Sequence, residues 1–271
     1  MRKMSNVFIV ILNFNGGKNI VECLKSLKNE EVKLVVVDNN SSDNSVEVIR
    51  KNFPKVKIIR NNKNLGFSQG NNAGILYALE RNADFIMLLN QDCVAKNNFL
   101  YFLLKNKSDV VGPAIEFKRG KKLYYDYGGR VNWLIGRTTH QESTVYLNNY
   151  QNCNKLNLDS GNVDFISGCA MMVKRSVFEK IGLLDEKFFL YFEDVDFCLR
   201  AKKVGFRINV EPKSIVFHKL TEGKKKSFFQ TNTLIKSNLI FINKHISFWC
   251  KPLAYLYWWI LAFKMLTEKY L

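Results

Sequence analysis

Five side chains stand where a chain can use them for chemistry: Asp38, Asp92, Glu193, Asp194 and His218. Asp38 closes the apolar run "VKLVVVD", and a carboxylate there can accept a hydrogen bond from a nucleoside base or a ribose hydroxyl. Asp92 closes "DFIMLLNQD" after Asn90 and Gln91, a placement that suits an oxygen-bound Mg2+ or Mn2+. His218 closes "SIVFH" and offers a second metal ligand, although a lone His at a strand end is also ordinary polar surface. Glu193, Asp194 and Asp196 interrupt the otherwise apolar "LYFEDVDFCLRA". On a helix Asp194 and Asp196 point in different directions. Acids in a first helical turn are favoured by the macrodipole, and that alone accounts for Glu193 or Asp196. Capping does not account for the approach through "FFLY". A carboxylate partly desolvated by Phe and Tyr is a better proton acceptor, which makes Asp194 the candidate base.

These residues need a frame that brings them together. The first half alternates short β-branched runs with helical spacing: "VFIVILN", "VKLVVVD", "VKIIRN" and "DFIMLLNQD" (Asp84–Asp92), separated by segments such as "NIVECLKSLKN". That rhythm predicts right-handed βαβ crossovers, a mostly parallel sheet and flanking helices. Ligands of such sheets bind at the carboxyl ends of the strands. Three strand ends carry amides and carboxylates: Asn13-Phe14-Asn15, Asp38-Asn39-Asn40 and Asn90-Gln91-Asp92. Each cluster alone also reads as a turn; the repetition points to a site. The run "NLGFSQGNNAG" holds Gly66, Gly70 and Gly74, but follows the third strand and lacks G-x-G-x-x-G spacing. A dinucleotide fingerprint is therefore disfavoured, and with it a nicotinamide oxidoreductase. Those glycines admit two readings, backbone approach to a ligand or close helix–sheet packing. Residues 117–162 break the rhythm and read as hairpins and loops over one face of the sheet. A strand and a short helix follow in "VDFISGCAMMVKRSVFEKIGLLDE", then two short strands around Pro212.

The chain has 271 residues, enough for one large domain, and 47% are apolar. Its formal charge of +17 favours an anionic partner such as a nucleotide-linked substrate or an anionic membrane, although a Lys- and Asn-rich composition explains part of the excess. No recognition helix or stacking motif supports nucleic-acid binding. The six cysteines show neither C-x-x-C spacing nor a Cys/His cluster, which implies a reduced, cytoplasmic chain. The apolar run after Met1 is short and reads as a first strand. Near the other end, Leu253–Phe263 is uncharged and flanked by Lys251 and Lys264. A span needs about 20 residues, so a Trp- and Tyr-rich helix of this length suits the membrane interface instead. Packing on the domain or on a second subunit is the alternative.

The order of motifs resembles the inverting family-two glycosyltransferases with the GT-A fold, in particular the rhamnosyl- and galactofuranosyl-transferase-like branch. The resemblance runs from "VFIVILNFNGG" through "VVVDNNSSDNS", "RNNKNLGFSQGNNAG", "FIMLLNQD" and "FISGCAMMV…FFLYFEDVDFCLRAKKVGFRI" to "VFHK". It implies an α/β catalytic domain over 1–225 and a C-terminal helical segment over 226–271. It implies a nucleotide-diphospho-sugar donor, a glycan or lipid-linked glycan acceptor, and a divalent cation, Mg2+ or Mn2+, at Asp92 and His218. Asn13, Asn15, Asp38 and Asn40 would line the nucleotide. Gly66, Gln69 and Asn71 would lie along it as a loop. Asn90, Gly168 and Glu193 would border the substrate, and Asp194 would be the base. Asn90 and Gln91 depart from the family's D-x-D pattern, leaving Asp92 its acid. The same resemblance would fit a catalytically silent sugar-nucleotide binder.

Overall fold

The structure, a computed structural model, describes residues 5–145, 163–219 and 227–267. Four parallel strands form its first half: β1 (Val7–Asn13), β2 (Lys33–Asp38), β3 (Lys57–Arg60) and β4 (Phe85–Asn90), in the order β3-β2-β1-β4. The apolar runs of β1, β2 and β4 are buried on both faces, as crossover-covered strands must be, while Ile58 and Ile59 of edge strand β3 are half-buried. Helices α1 (Gly17–Ser26), α2 (Ser45–Asn52) and α3 (Gly66–Leu79) make the crossovers. The register sets Asn13 opposite Asp38, and Asp38 opposite Arg60. The three polar strand ends are thereby level.

The second half is antiparallel in part. β9 (Ala170–Lys174) lies antiparallel between β4 and β6 (Val110–Arg119). β10 (Ile208–His218) runs parallel to β6, and the short β5 (Cys93–Ala95) closes the edge with Cys93 opposite His218. This pairing carries Asp92 to His218. β6 continues into a meander with β7 (Lys122–Asn132) and β8 (Arg137–Val145), the hairpins expected there; residues 146–162 of that region lie outside the described residues. Two expectations are corrected. The segment around Pro212 is one strand, whose register shifts between Glu211 and Ile215 to take up the missing N–H. The fourth strand ends at Asn90, and Gln91-Asp92 turn into β5.

Helices α4 (Phe99–Lys105), α5 (Arg175–Ile181) and α6 (Glu193–Lys203) complete the covering, leaving one apolar cluster on each sheet face. Gly70 and Gly74 settle between their two readings. A Cβ on Gly74 would come within 2.3 Å of Val10, and one on Gly70 within 2.6 Å of Leu12, so both serve packing of α3 on β1. Helix α7 (Phe228–His245) starts at a Ser227/Gln230 capping box, and its Phe241 and Ile242 are fully buried in the same cluster as α6. Helix α8 (Lys251–Thr267) packs on α7 but exposes Leu256, Trp259, Ile260 and Phe263. Among the described residues no helix is long and apolar enough to cross a membrane.

Candidate active site

The ends of β1, β2 and β3 form one polar cluster with a buried centre. Asn13 and Asp38 are fully buried. Asn13 Nδ2 donates to Asp38 Oδ1 (2.9 Å), Ser41 Oγ (3.0 Å) and Ser45 Oγ (2.9 Å). Arg60 Nε lies 3.3 Å from Asp38 Oδ2. Asp38 is thus turned inward, its carboxylate held by Asn13, Ser41 and Arg60. Sequence spacing could not show this, because Asn13 and Arg60 arrive from β1 and β3, with only Ser41 local to the strand end. Asn13 also faces inward rather than lining an open pocket. Asn15, at φ 51°, ties two loops together by accepting from Ser42 N (2.8 Å). Asn40, at φ 65°, stays exposed at the rim. Asn39, with no role assigned from sequence, does the stitching: its Nδ2 donates to Asn64 Oδ1 and Gly66 O, and its Oδ1 accepts from Asn61.

The expected loop at Gly66–Asn71 is the first part of α3. Gly66 adopts φ +77°, and a Cβ there would lie 2.4 Å from Phe189 O. It lets α3 begin against the segment before α6. Asn71 Nδ2 donates to Phe67 O within the helix, and Gln69 is exposed. Gly66 and Asn71 each serve the local fold of α3.

The second polar assembly is open. A pocket of about 300 Å³ is bordered by Asn90, His140, Ser167, Gly168, Asp194 and His218, with Phe67, Phe165, Tyr191 and Phe192 as aromatic walls. Asp194 Oδ2 accepts from Gly168 N (2.8 Å) and its Oδ1 from Val195 N (2.8 Å). Burial raises its pKa above the ordinary carboxylate value, although the Gly168 N–H and His140 oppose the rise. Gly168 is tight: a Cβ there would meet Asp194 Cβ at 3.2 Å. Glu193 is buried with Oε2 unpaired, and burial together with Asp194 drives its pKa well up. Two bulky residues before them, Tyr191 and Phe192, hold φ of 70° and 69°. Such backbone costs about 1–3 kcal/mol per residue and clusters at functional sites.

Asp196 turns the other way, as its helical position predicted. It is fully buried and meets Arg200 Nε (2.8 Å), Lys244 Nζ (2.7 Å) and His245 Nε2 (2.7 Å). Burial would raise its pKa, but His245, Lys244 and Arg200 bring it down to about 2. His140 was invisible to sequence reasoning, since its partner comes from across the meander. Its Nδ1 pairs with Asp126 Oδ2 at 2.7 Å. Burial works against its protonation, yet Asp126 holds its pKa up to about 9.

Asp92 and His218 are adjacent, as expected of cation ligands. Asp92 Oδ1 lies 3.2 Å from His218 Nε2, yet the pair is not aligned as a hydrogen bond, and Oδ1 is buried without a partner. A carboxylate oxygen and an imidazole nitrogen this close together can share a divalent cation. Cys93 is close enough to count with them. Its thiol donates to Cys169 O at 3.6 Å, and burial pushes its pKa well up, so it is a neutral neighbour. Gln91 is occupied elsewhere, clipping Phe14 N and O. A larger cleft, about 1080 Å³, opens between Asn6, Lys33 and Lys57 at the amino ends of β1–β3. Sheets of this kind take ligands at the opposite end, so the smaller pocket is the candidate.

A doubly wound sheet with this pocket at its carboxyl edge defines a GT-A glycosyltransferase fold. Residues 8–182 match Glycosyl transferase family 2, and the chain belongs to that family. It is 26% identical over 230 residues to dTDP-rhamnosyl transferase RfbF of Shigella flexneri, covering 82% of this chain and 72% of the relative. It is 24% identical over 275 residues to the N-acetylglucosaminyl-diphospho-decaprenol L-rhamnosyltransferase of Mycobacterium tuberculosis, covering 91% and 87%. The crystal structure of GalNAc-T7 with UDP, GalNAc and Mn2+ superposes with a TM-score of 0.64 at 16% identity, covering 90% of this chain and 48% of that one.

Proposed function

We propose that this glycosyltransferase moves a hexosyl or deoxyhexosyl residue from a nucleoside-diphospho-sugar to a hydroxyl of a glycan or lipid-linked glycan, in surface polysaccharide synthesis, with inversion. The reading is carried by one observation: a single pocket is lined both by the desolvated, raised-pKa Asp194 and by His218, whose Nε2 lies 3.2 Å from Asp92 Oδ1. Asp194 accepts the acceptor hydroxyl's proton as that oxygen bonds the anomeric carbon and the bond to the diphosphate breaks. One displacement needs one base and inverts the centre. Gly168 N–H holds the carboxylate in place, and the aromatic walls keep water from competing. A divalent cation, Mg2+ or Mn2+, held by Asp92 and His218 would neutralise charge on the departing nucleoside diphosphate. Asn90 and Glu193 border the sugar. Asn40 and Gln69 lie exposed, where a nucleotide can reach them. The rhamnosyltransferase names of the relatives favour a deoxyhexose donor.

The exposed aromatic face of α8, flanked by Lys251 and Lys264, supports peripheral contact with the cytoplasmic face of a membrane. A homo-oligomer seated on that face is the competing occupant, and fractionation with and without α8 separates the two. A donor screen with Mg2+ and Mn2+, reading nucleoside diphosphate release and product anomeric configuration, tests the reaction. Retained configuration, or release unaffected by Asp194→Asn, overturns it.

A further inference from the structure

Next to the base pocket lies a second pocket, of about 240 Å³, roofed by α7 and α8. The two share Thr138, Phe192 and Leu234, so one wall separates nothing and lines both. Its depth is apolar: Leu234, Trp258, Leu261, Ala262 and Met265. Trp258 spends its N–H on Ile235 O (2.9 Å), which leaves the indole's carbon surface for contact. Arg137 also lines this pocket, is exposed, and makes no ion pair or side-chain hydrogen bond among the described residues. A guanidinium without a carboxylate partner, beside an apolar cavity, is suited to phosphate oxygens. The outer face of α8 carries Leu256, Trp259, Ile260 and Phe263, all more than half exposed.

We infer that this pocket binds the diphosphate and first isoprenoid units of a polyprenyl-diphosphate-linked acceptor. The inference rests on the transferase reading above and names the acceptor's anchoring site. Arg137 pairs with the diphosphate. The Leu234–Trp258–Met265 cavity takes the start of the chain, and the remainder leaves across α8 into the bilayer. The glycan head then enters the adjoining pocket, with its hydroxyl toward Asp194. A hydrocarbon occupant is favoured because the cavity walls are apolar, and a diphosphate because the cation at the cavity is unpaired. A phospholipid headgroup, free diphosphate and a second copy of the chain are the other occupants that an experiment can reveal.

The test uses the full chain, with chelator present so that the Asp92–His218 pair holds no metal. Calorimetric titration with farnesyl diphosphate, inorganic diphosphate and farnesol separates chain from headgroup. Farnesyl diphosphate should bind at least tenfold more tightly than either fragment. Arg137→Glu and Leu261→Asn should each weaken it tenfold or more, while Asp92→Ala leaves it unchanged; circular dichroism checks that each variant folds. Equal binding of inorganic diphosphate, loss of binding in Asp92→Ala, or indifference to both Arg137→Glu and Leu261→Asn would overturn the site. Nucleoside diphosphate release to a water-soluble acceptor, without farnesyl diphosphate binding, overturns this inference and spares the transferase reading. Farnesyl diphosphate binding with the expected variant pattern, but no turnover of any donor, supports the lipid site and sinks the transferase reading.

Discussion

Two polar assemblies sit at the carboxyl edge of the same sheet and are built on opposite terms. Around Asp38 the carboxylate is answered: Asn13 Nδ2, Ser41 N and Arg60 occupy it and it is fully buried, with Asn13 Oδ1 the one buried atom of the cluster lacking a hydrogen-bond partner among the described residues. Around Asp194 the groups are left short. Glu193 Oε2 and Asp92 Oδ1 are buried without hydrogen-bond partners among the described residues, and the carboxylates of Glu193 and Asp194 are pushed toward their neutral forms. Buried polar groups that satisfy each other stabilise a fold. Those kept unsatisfied beside a cavity are what a substrate or cation can complete. The difference separates a strand-end acid that holds loops from a helix-start acid proposed to do chemistry.

Substitutions can break or sharpen this contrast. The largest effect belongs to Asp194→Asn, which should slow transfer by about 10²–10⁴-fold while nucleotide binding persists. Its unfolding midpoint should hold or rise, since a strained buried charge is removed; a clear loss of stability would place Asp194 with the structural acids. Next comes Asp196→Ala, which strands Arg200, Lys244 and His245 and should cost about 3–5 kcal/mol in denaturant unfolding. Asp38→Ala should cost less, about 1–3 kcal/mol, because Arg60 is half exposed and Asn13 keeps two serines. Its transfer rate, measured where the variant is folded, should stay within about tenfold of wild type, an allowance far below the 10²-fold floor of a lost base. The smallest effect is in pH profiles. Asp194 acts as carboxylate, so kcat should fall as pH drops through a value above the ordinary Asp range near about 4. Asp196 contributes stability above its unfolded pKa of about 3.9, lost as pH falls toward about 2. Glu193 and Asp194 have the opposite sign: their contribution is complete at low pH and is lost as pH rises through their raised values. Acid titrations of Asp196→Ala and Glu193→Gln should therefore bend in opposite directions.

The parallel half of the sheet was readable because burial on both faces writes an unbroken apolar run into each strand. Asp194 stood out in the sequence because its apolar approach has no local explanation, and Asp92 with His218 because each follows an apolar run; register then sets the two side by side. What was hidden depends on pairing across the chain. The inward turn of Asp38 needs Asn13 and Arg60 brought level by register. His140 needs Asp126 from the facing strand. Gly70 and Gly74 look like a ligand loop until β1 is placed beneath them. Pro212 looks like a break until the register shift in β10 absorbs it. The left-handed Tyr191–Phe192 pair has no signature at all, since neither residue type favours that conformation.

The knot of Asp196 with Lys244 and His245 has a practical corollary for anyone trimming this chain. A soluble fragment designed by stopping at the last sheet strand would leave a buried anion on α6 with only Arg200 to answer it. It would also uncover Leu190 O, which Ser237 now holds one residue before the left-handed pair. A cut placed after Ile246 removes the greasy helix and keeps both fastenings. Where the enzyme can be shortened is thus decided by a carboxylate two residues from the proposed base, not by where the sheet ends.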